Sequence, residues 1–490
     1  MRRSFLLLLA VSPLAVSPLA AQQLTKADSN LVYAILTAEY RRDSTAPALA
    51  EGMRHVDARI RVIAERARGR ITDSTFAARS TLPAPAPRVR WPLPAWRARY
   101  DSLRIRRSDC TAMAAALRDP VLQVRLRATD LLPAACADSG NIIPTLVEWI
   151  THLPDPPVDF PRPAAWHSGA HALVALARLR PEVAKVWIDR LATHGTWQVR
   201  MYVARAAQYT ADSGLLRRLV RLPDGNVAEA AILSLSALGG HQFDATYLEA
   251  LRSIDPQVVR AAAVALKGSP RTDPALAANA VFSRWRARRV DSERDVRRAL
   301  LDLMGRPYTE DAAERAPDRL PWSVVRLALG DDVRLQMLLP GETWCRCRDT
   351  AAHRPELIDI RLRGDIAPIT AGRILDMVEK GKYMKGTWHR VVTDFVIQGG
   401  LEGDNEYLGG DRYFRDELGN LSHLRGSVGM STRGHDSGDG QWFIDLSDLP
   451  RLDQDYTIFG EVLSGMSRLD TVLEGDSVRL MVIPPRLYSY

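Results

Sequence analysis

Arg390 and Gln398 are the residues from which chemistry can first be argued. They interrupt the stretch Trp388-His389-Arg390-Val391-Val392-Thr393-Asp394-Phe395-Val396-Ile397-Gln398-Gly399-Gly400, whose Val391, Val392, Phe395, Val396 and Ile397 give it the bulk of strands. A cationic fork and an amide held on an apolar wall make a groove that grips a polar backbone beside a greasy side chain. A second segment answers it, Gly429-Met430-Ser431-Thr432 and then Gly440-Gln441-Trp442-Phe443-Ile444. A third runs from Leu452 through Tyr456 to Phe459-Gly460. Other constellations are weaker. His435-Asp436-Ser437 holds the residue types of a hydrolase triad, but three adjacent residues in a Gly-rich loop cannot adopt its geometry. Glu402, Asp404, Glu406 and Asp411 are spaced like no known calcium loop. Cys345, Cys347 and His353 offer three of the four ligands that zinc wants. Neither a metal nor a cofactor is expected.

In order and at fitting intervals, these three segments resemble the cyclophilins, peptidyl-prolyl isomerases with an eight-stranded barrel. The family pattern F-H-R-x-x-x-x-F-x-x-Q-G-G reads here with Trp388 for its first Phe. Its Q-F-F-I reads as Gln441-Trp442-Phe443-Ile444, and its L-D-x-x-x-x-x-F-G as Leu452 to Gly460. The resemblance covers residues 350–490. It implies that Arg390, Phe395 and Gln398 are catalytic: Arg390 the donor, Phe395 a wall of the proline pocket, Gln398 the holder of Arg390. It also implies that Phe443 and Leu452 line that pocket, and that Gln441 and the Ser431-Thr432 backbone bind the peptide preceding the proline. Val396 stands where the family commonly has Met, Ser431-Thr432 where it has Ala-Asn, and Tyr456 where it has the pocket His. Arg451 replaces a flanking Trp, which argues against tight cyclosporin binding. His389 falls on the family's usual structural His.

The elements that must position this groove belong to a chain of 490 residues, long enough for two or three domains. The start, Met1-Arg2-Arg3 followed by Phe5-Leu6-Leu7-Leu8-Leu9 and small residues to Ala21, reads as a secretory signal peptide over 1–21. Export, most naturally to a periplasm, is therefore expected, and an oxidising compartment with it. Of the four cysteines, Cys110 and Cys136 can bridge neighbouring helices, whereas Cys345 and Cys347 would share a strand face. Residues 351–490 count about −6, so with +8 overall residues 1–350 carry about +14. For an exported chain nucleic acid is not an expected partner; contact of the basic half with an anionic membrane surface stays open.

Residues 25–310 read as helical, rich in Ala, Leu and Arg at helical spacing. A phrase recurs: Asp119-Pro120 with Val124-Arg125, then Val199-Arg200, a degenerate copy at Val227, Asp255-Pro256 with Val259-Arg260, and Val296-Arg297. His171–Leu176 fills the gap after Val124, and Val56–Arg61 is an early variant. Intervals of roughly 30–40 residues suit stacked helix pairs, because one pair cannot bury its own apolar face. The resemblance is to HEAT repeats. Pro-rich stretches at 81–94 and 153–163 read as loops between repeats, and His167 and His171 as packed rather than ligating. Near the join, Val324–Leu329 and Val333–Leu339 flank Gly330-Asp331-Asp332 as a hairpin, followed by a strand at 356–362 and a helix over 371–380 capped by Thr370.

The fold class is thus a multidomain chain. An N-terminal all-α solenoid of HEAT-like repeats covers 25–310. A connecting segment, 311–350, can supply the first barrel strand. A mainly-β, cyclophilin-like closed barrel with flanking helices covers 351–490. The expected function is isomerisation of X-Pro bonds in exported proteins, with proline-containing polypeptides as partners and the arm binding clients. The alternative is a scaffold whose barrel only binds proline-containing peptides.

Overall fold

The computed structural model describes residues 24–72, 88–154, 165–288, 291–308, 319–340, 357–401, 403, 405–407, 409–410 and 412–483. The signal segment, Cys345, Cys347, His353, Glu402, Asp404 and Asp411 lie outside them.

Helices Arg97–Ile105, Leu122–Leu131, His167–Leu179, Trp197–Tyr209, Gly225–Gly239, Pro256–Ala265 and Arg294–Leu303 form a row in which each packs on the next. The helices between them, Pro181–Leu191, Ser213–Val220 and Asp273–Arg288 among them, back the row. The recurring valine explains the stacking: Val124, Val199, Val227, Val259 and Val296 are all 3% exposed or less. In three copies the arginine of the phrase staples the preceding turn. Arg125 Nη1 donates to the carbonyls of Asp119 (2.7 Å) and Pro120 (3.2 Å). Arg61 does the same to His55 and Val56, and Arg200 to His194 and Gly195. Asp224 and Asp255 cap their helices, and Pro256 occupies a first turn where no N–H is needed. At Asp119-Pro120 the cap position shifts to Val121, whose N–H the Asp119 carboxylate holds at 2.9 Å. Cys110 and Cys136 form a disulfide.

The first helices, Lys26–Arg41, Pro47–Met53 and Ala58–Thr72, do not share the core of the row. They pack instead with Leu320, Val324, Val325 and Ile369, next to the barrel. The hairpin expected at 324–339 is not formed. Val324–Ala328 belongs to the helix Ser323–Ala328. A short apolar run fits helix or strand equally, and tertiary contact decides. Ser323 Oγ donates to Gly372 O at 2.9 Å, and a Cβ on Gly372 would stand 2.6 Å from Val324 Cγ1.

Nine strands among the described residues pair antiparallel. They are β1 (Arg334–Leu338), β2 (Ile358–Leu362), β3 (Gly386–Thr387), β4 (Arg390–Val391), β5 (Val396–Gly399), β6 (Ser427–Met430), β7 (Trp442–Asp445), β8 (Ile458–Val462) and β9 (Ser477–Val482). Their order is β3-β9-β1-β2-β8-β6-β7-β5-β4. The edge strands β3 and β4 are separated in sequence only by Trp388 and His389, so the sheet must curl back on itself. Inside the curl, Trp388 meets Trp442 edge-on at 5.0 Å.

The helix Pro368–Glu379 is not capped by Thr370. Pro368 is its first residue, and the cap position is Ala367, without a side-chain bond. The free amides of Ile369 and Thr370 donate instead to the carboxylate of Glu417, from a distant loop. Burial holds that carboxyl above its ordinary range. Arg70 reaches Glu39 at 2.7 Å and Glu417 at 3.6 Å, and donates to the carbonyls of Ile366 and Leu418. Removing one partner of a buried ionic network leaves the others uncompensated. Arg70→Ala should therefore lower the unfolding free energy of the full chain by about 3–5 kcal/mol, as chemical denaturation would show.

Candidate active site

The opening stretch folds as a hairpin. Val392 N donates to Val396 O and Phe395 N to Val392 O, which turns the chain at Thr393-Asp394. In the register, Arg390 stands opposite Gln398 and Gln398 opposite Phe443. Directly opposed residues share a face of a sheet, so an arginine, an amide and an aromatic ring line up across three strands. Val391, Ile397 and Ile444 take the other face, where Ile397 and Ile444 are fully buried.

The guanidinium of Arg390 is held rather than free. Its Nη1 donates to Gln398 Oε1 at 3.2 Å, and Gln398 Nε2 donates to Ser431 Oγ at 2.9 Å. The same guanidinium carbon lies 5.6 Å from the centroid of Phe395. Val396, Phe443, Leu449 and Leu452 form a buried apolar cluster, with Phe395 and Tyr456 packed against it. Phe443 and Tyr456 meet edge to face at 5.6 Å. The pairing of β6 with β7 continues through Ser431 N, which donates to Gln441 O, and Gln441 Nε2 donates to Asn405 O at 3.0 Å. The structure thus links Arg390, Gln398 and Ser431 by hydrogen bonds, packs Phe395, Val396, Phe443, Leu452 and Tyr456 together beside them, and joins Ser431 to Gln441. Thr432 follows Ser431, half-buried.

Sequence reasoning missed the support beneath the pocket. His423 lies flat against Phe443, ring centroids 5.7 Å apart, and its Nδ1 bonds Asp445 Oδ2 at 2.9 Å, both side chains wholly buried. Burial pushes the Asp445 carboxyl up to about 6, although the bond to His423 opposes the rise. The one available signal was an aspartate directly after Gln441-Trp442-Phe443-Ile444, a charged end to a buried strand. Arg451, noted only as a departure, stacks on Phe395 with its guanidinium carbon 4.2 Å from the centroid. His435 pairs with Asp416, and Ser437 Oγ donates to Gly434 O, so those neighbours form no catalytic relay. His167 Nε2 donates to Glu474 O, and His171 bonds Asp130 and Tyr202.

Residues 349–483 match the family model described as cyclophilin type peptidyl-prolyl cis-trans isomerase/CLD. The chain is 33% identical over 125 residues to a peptidyl-prolyl cis-trans isomerase of Helicobacter pylori strain J99, covering 25% of this chain and 77% of that one. It is 34% identical over 140 residues to peptidyl-prolyl cis-trans isomerase-like 1 of Rhizopus delemar, covering 27% of this chain and 85% of that one. A crystal structure of a Cryptosporidium parvum cyclophilin type peptidyl-prolyl cis-trans isomerase aligns with a TM-score of 0.27 at 20% identity, covering 31% of this chain and 99% of that one.

Two measurements test this geometry. A Cβ on Gly429 would stand 2.4 Å from Phe443 Cζ, so Gly429→Ala should cost about 1–3 kcal/mol of unfolding free energy by overpacking. Burial, then the neighbouring Arg390 charge, lowers the His389 pKa from 6.5 to about 4. Below pH 6.5 the unfolded chain takes up a proton that the folded chain refuses. Stability should be indifferent to this group above pH 6.5 and fall as pH drops toward 4, by about 1.4 kcal/mol per pH unit. His389→Gln should lack that part of the slope when denaturation curves at pH 7.5, 6 and 5 are compared with wild type.

Proposed function

The chain belongs to the cyclophilin-type peptidyl-prolyl cis-trans isomerases, and from that premise we propose that it turns X-Pro bonds of exported polypeptides while its helical arm holds the client. The observation that carries this is the fixed Arg390 guanidinium beside the apolar cluster of Phe395, Phe443 and Leu452.

Rotation about an X-Pro amide breaks its resonance, over a barrier of about 18–20 kcal/mol. Uncatalysed, it takes roughly tens to hundreds of seconds. No bond to another atom forms or breaks, so the reaction asks for no nucleophile and no proton acceptor. It asks for a site that binds the twisted amide better than either planar form. At mid-rotation the prolyl nitrogen becomes pyramidal and regains a lone pair. Arg390 then donates to that nitrogen or steadies the displaced carbonyl, already oriented by Gln398, so little reorganisation is needed at the moment of rotation. The prolyl ring sits among Phe395, Val396, Phe443, Leu452 and Tyr456, dry and immobile, while the preceding carbonyl swings. Gln441 and the Ser431-Thr432 backbone hold the preceding residue.

The row of helices reads as a solenoid of HEAT-like repeats over 25–310, and residues 351–490 as a closed barrel of the cyclophilin kind. The recurring valine and arginine staple support the repeat reading. The leader-like residues 1–21 support export to a periplasm. Exposed apolar side chains on the arm, Val186, Val264 and Leu276 among them, favour the second reading, a scaffold in which the barrel binds without turning over.

A proline-isomerisation assay on a tetrapeptide separates the two. Arg390→Ala should lower kcat/KM by about 100- to 1000-fold with the fold intact by circular dichroism. Arg390→Lys, which keeps the charge and loses the fork, should fall between. Equal turnover by wild type and Arg390→Ala would sink the catalytic role.

A further inference from the structure

Beside Arg390, between the barrel and the helical row, lies a cavity of about 480 Å³. His389, Arg390, Val391 and Asn405 belong to its barrel wall, and Trp197, Met201, Leu233 and Gln257 to the wall opposite. The frame around it is fixed. Arg97 donates to Thr393 O at 3.3 Å at the hairpin tip, and His167 to Glu474 O at 2.7 Å. Arg260 lies over the Tyr407 ring at 4.4 Å, and Arg433 pairs with Asp295 at 2.7 Å. The arm therefore grips the barrel on several sides of the opening.

Three features of this cavity are unused by the fold. Leu233 is 57% exposed although it sits on the helix Gly225–Gly239, in the middle of the row. Gln257 is 3% exposed; its Nε2 is committed to Asn226 Oδ1 and the Glu229 carboxylate, while its Oε1 has no partner. On the facing wall, His389 Nε2 is buried and also unpartnered. An enclosed acceptor, a second enclosed polar atom and an apolar surface match an extended polypeptide, which brings one N–H, one C=O and one side chain per residue.

We propose that the substrate chain on the N-terminal side of the proline threads this cavity, so that the arm supplies the distal half of the isomerase subsite. A backbone N–H of that chain donates to Gln257 Oε1, and its side chains cover Met201 and Leu233. The direction follows from Gln441: assigned to the residue before the proline, it bonds Asn405 O, and Asn405 lines the cavity. The inference rests on the isomerase reading of the groove. It makes the arm selective for long substrates at the catalytic groove itself.

The test uses the full chain, a proline tetrapeptide, and the same peptide lengthened on its N-terminal side by roughly six residues, about 20 Å of extended chain. The extension should raise affinity and kcat/KM by about tenfold or more. Leu233→Asp, at an exposed position, and Gln257→Leu should each remove most of that gain. A photoreactive residue in the extension should label segment 197–233. The proposal is overturned if the extension gives no gain, if the gain survives both variants, or if labelling falls on the barrel alone. It is equally overturned if Leu233→Asp speeds both peptides, since the arm would then be a shield. If wild type turns over neither peptide but still binds the longer one more tightly through Leu233, the subsite stands and the isomerase reading falls.

Discussion

A single cross-strand register holds the groove together. Arg390 opposes Gln398, and Gln398 opposes Phe443, so pleating puts charge, amide and ring on one face. An arginine side chain is long and rotamer-rich, and Arg390, which is exposed, would wander if nothing held it. Here Gln398 fixes it, and Ser431 in turn fixes Gln398. Shifting the middle strand by one residue would send Gln398 to the opposite face, away from Arg390 and Phe443. The core side chain Ile397 prevents that slip, because the same shift would take it out of the core.

The charge asymmetry of the chain acquires a place in the structure. Arg97, Arg127, Arg260 and Arg294 reach from the row of helices to Thr393, Asp394, Tyr407 and Tyr413 of the barrel side. The traffic also runs the other way, from Arg433 to Asp295. Guanidinium groups suit such a seam, since they stack on rings and are weakly hydrated, and so lose less on partial burial than ammonium groups. The seam is continued by the segment after residue 87. Trp91 donates to Val462 O, and Arg425 reaches back to Pro92 O. What reads as a Pro-rich spacer between helices thus lies, in its described portion, against the barrel.

Buried ionisable groups mark where distant segments meet. Glu39, Arg66, Arg70 and Glu417 join the first helices to the loop that caps Pro368–Glu379. His423 and Asp445 stiffen the floor under Phe443. Each group would be costly alone, and each is tolerable because a partner arrives from far along the chain.

The amino-acid order alone singled out the candidate groove residues, since Arg390, Phe395, Gln398, Gln441 and Phe443 lie in short segments whose spacing is set by strand and turn geometry. It also determined the helical row, because the recurring phrase is largely a local device: a valine to bury and, in three copies, an arginine to close its own turn. Tertiary structure alone decided that 323–328 coils instead of extending, that Glu417 caps a helix assigned to Thr370, and that His423 finds Asp445. It alone set Gln257 and Leu233 opposite Arg390. These outcomes depend on contacts between residues tens to hundreds of positions apart. Local propensity and periodicity carry no information about such contacts, because the partner's position is fixed only when the whole chain has packed.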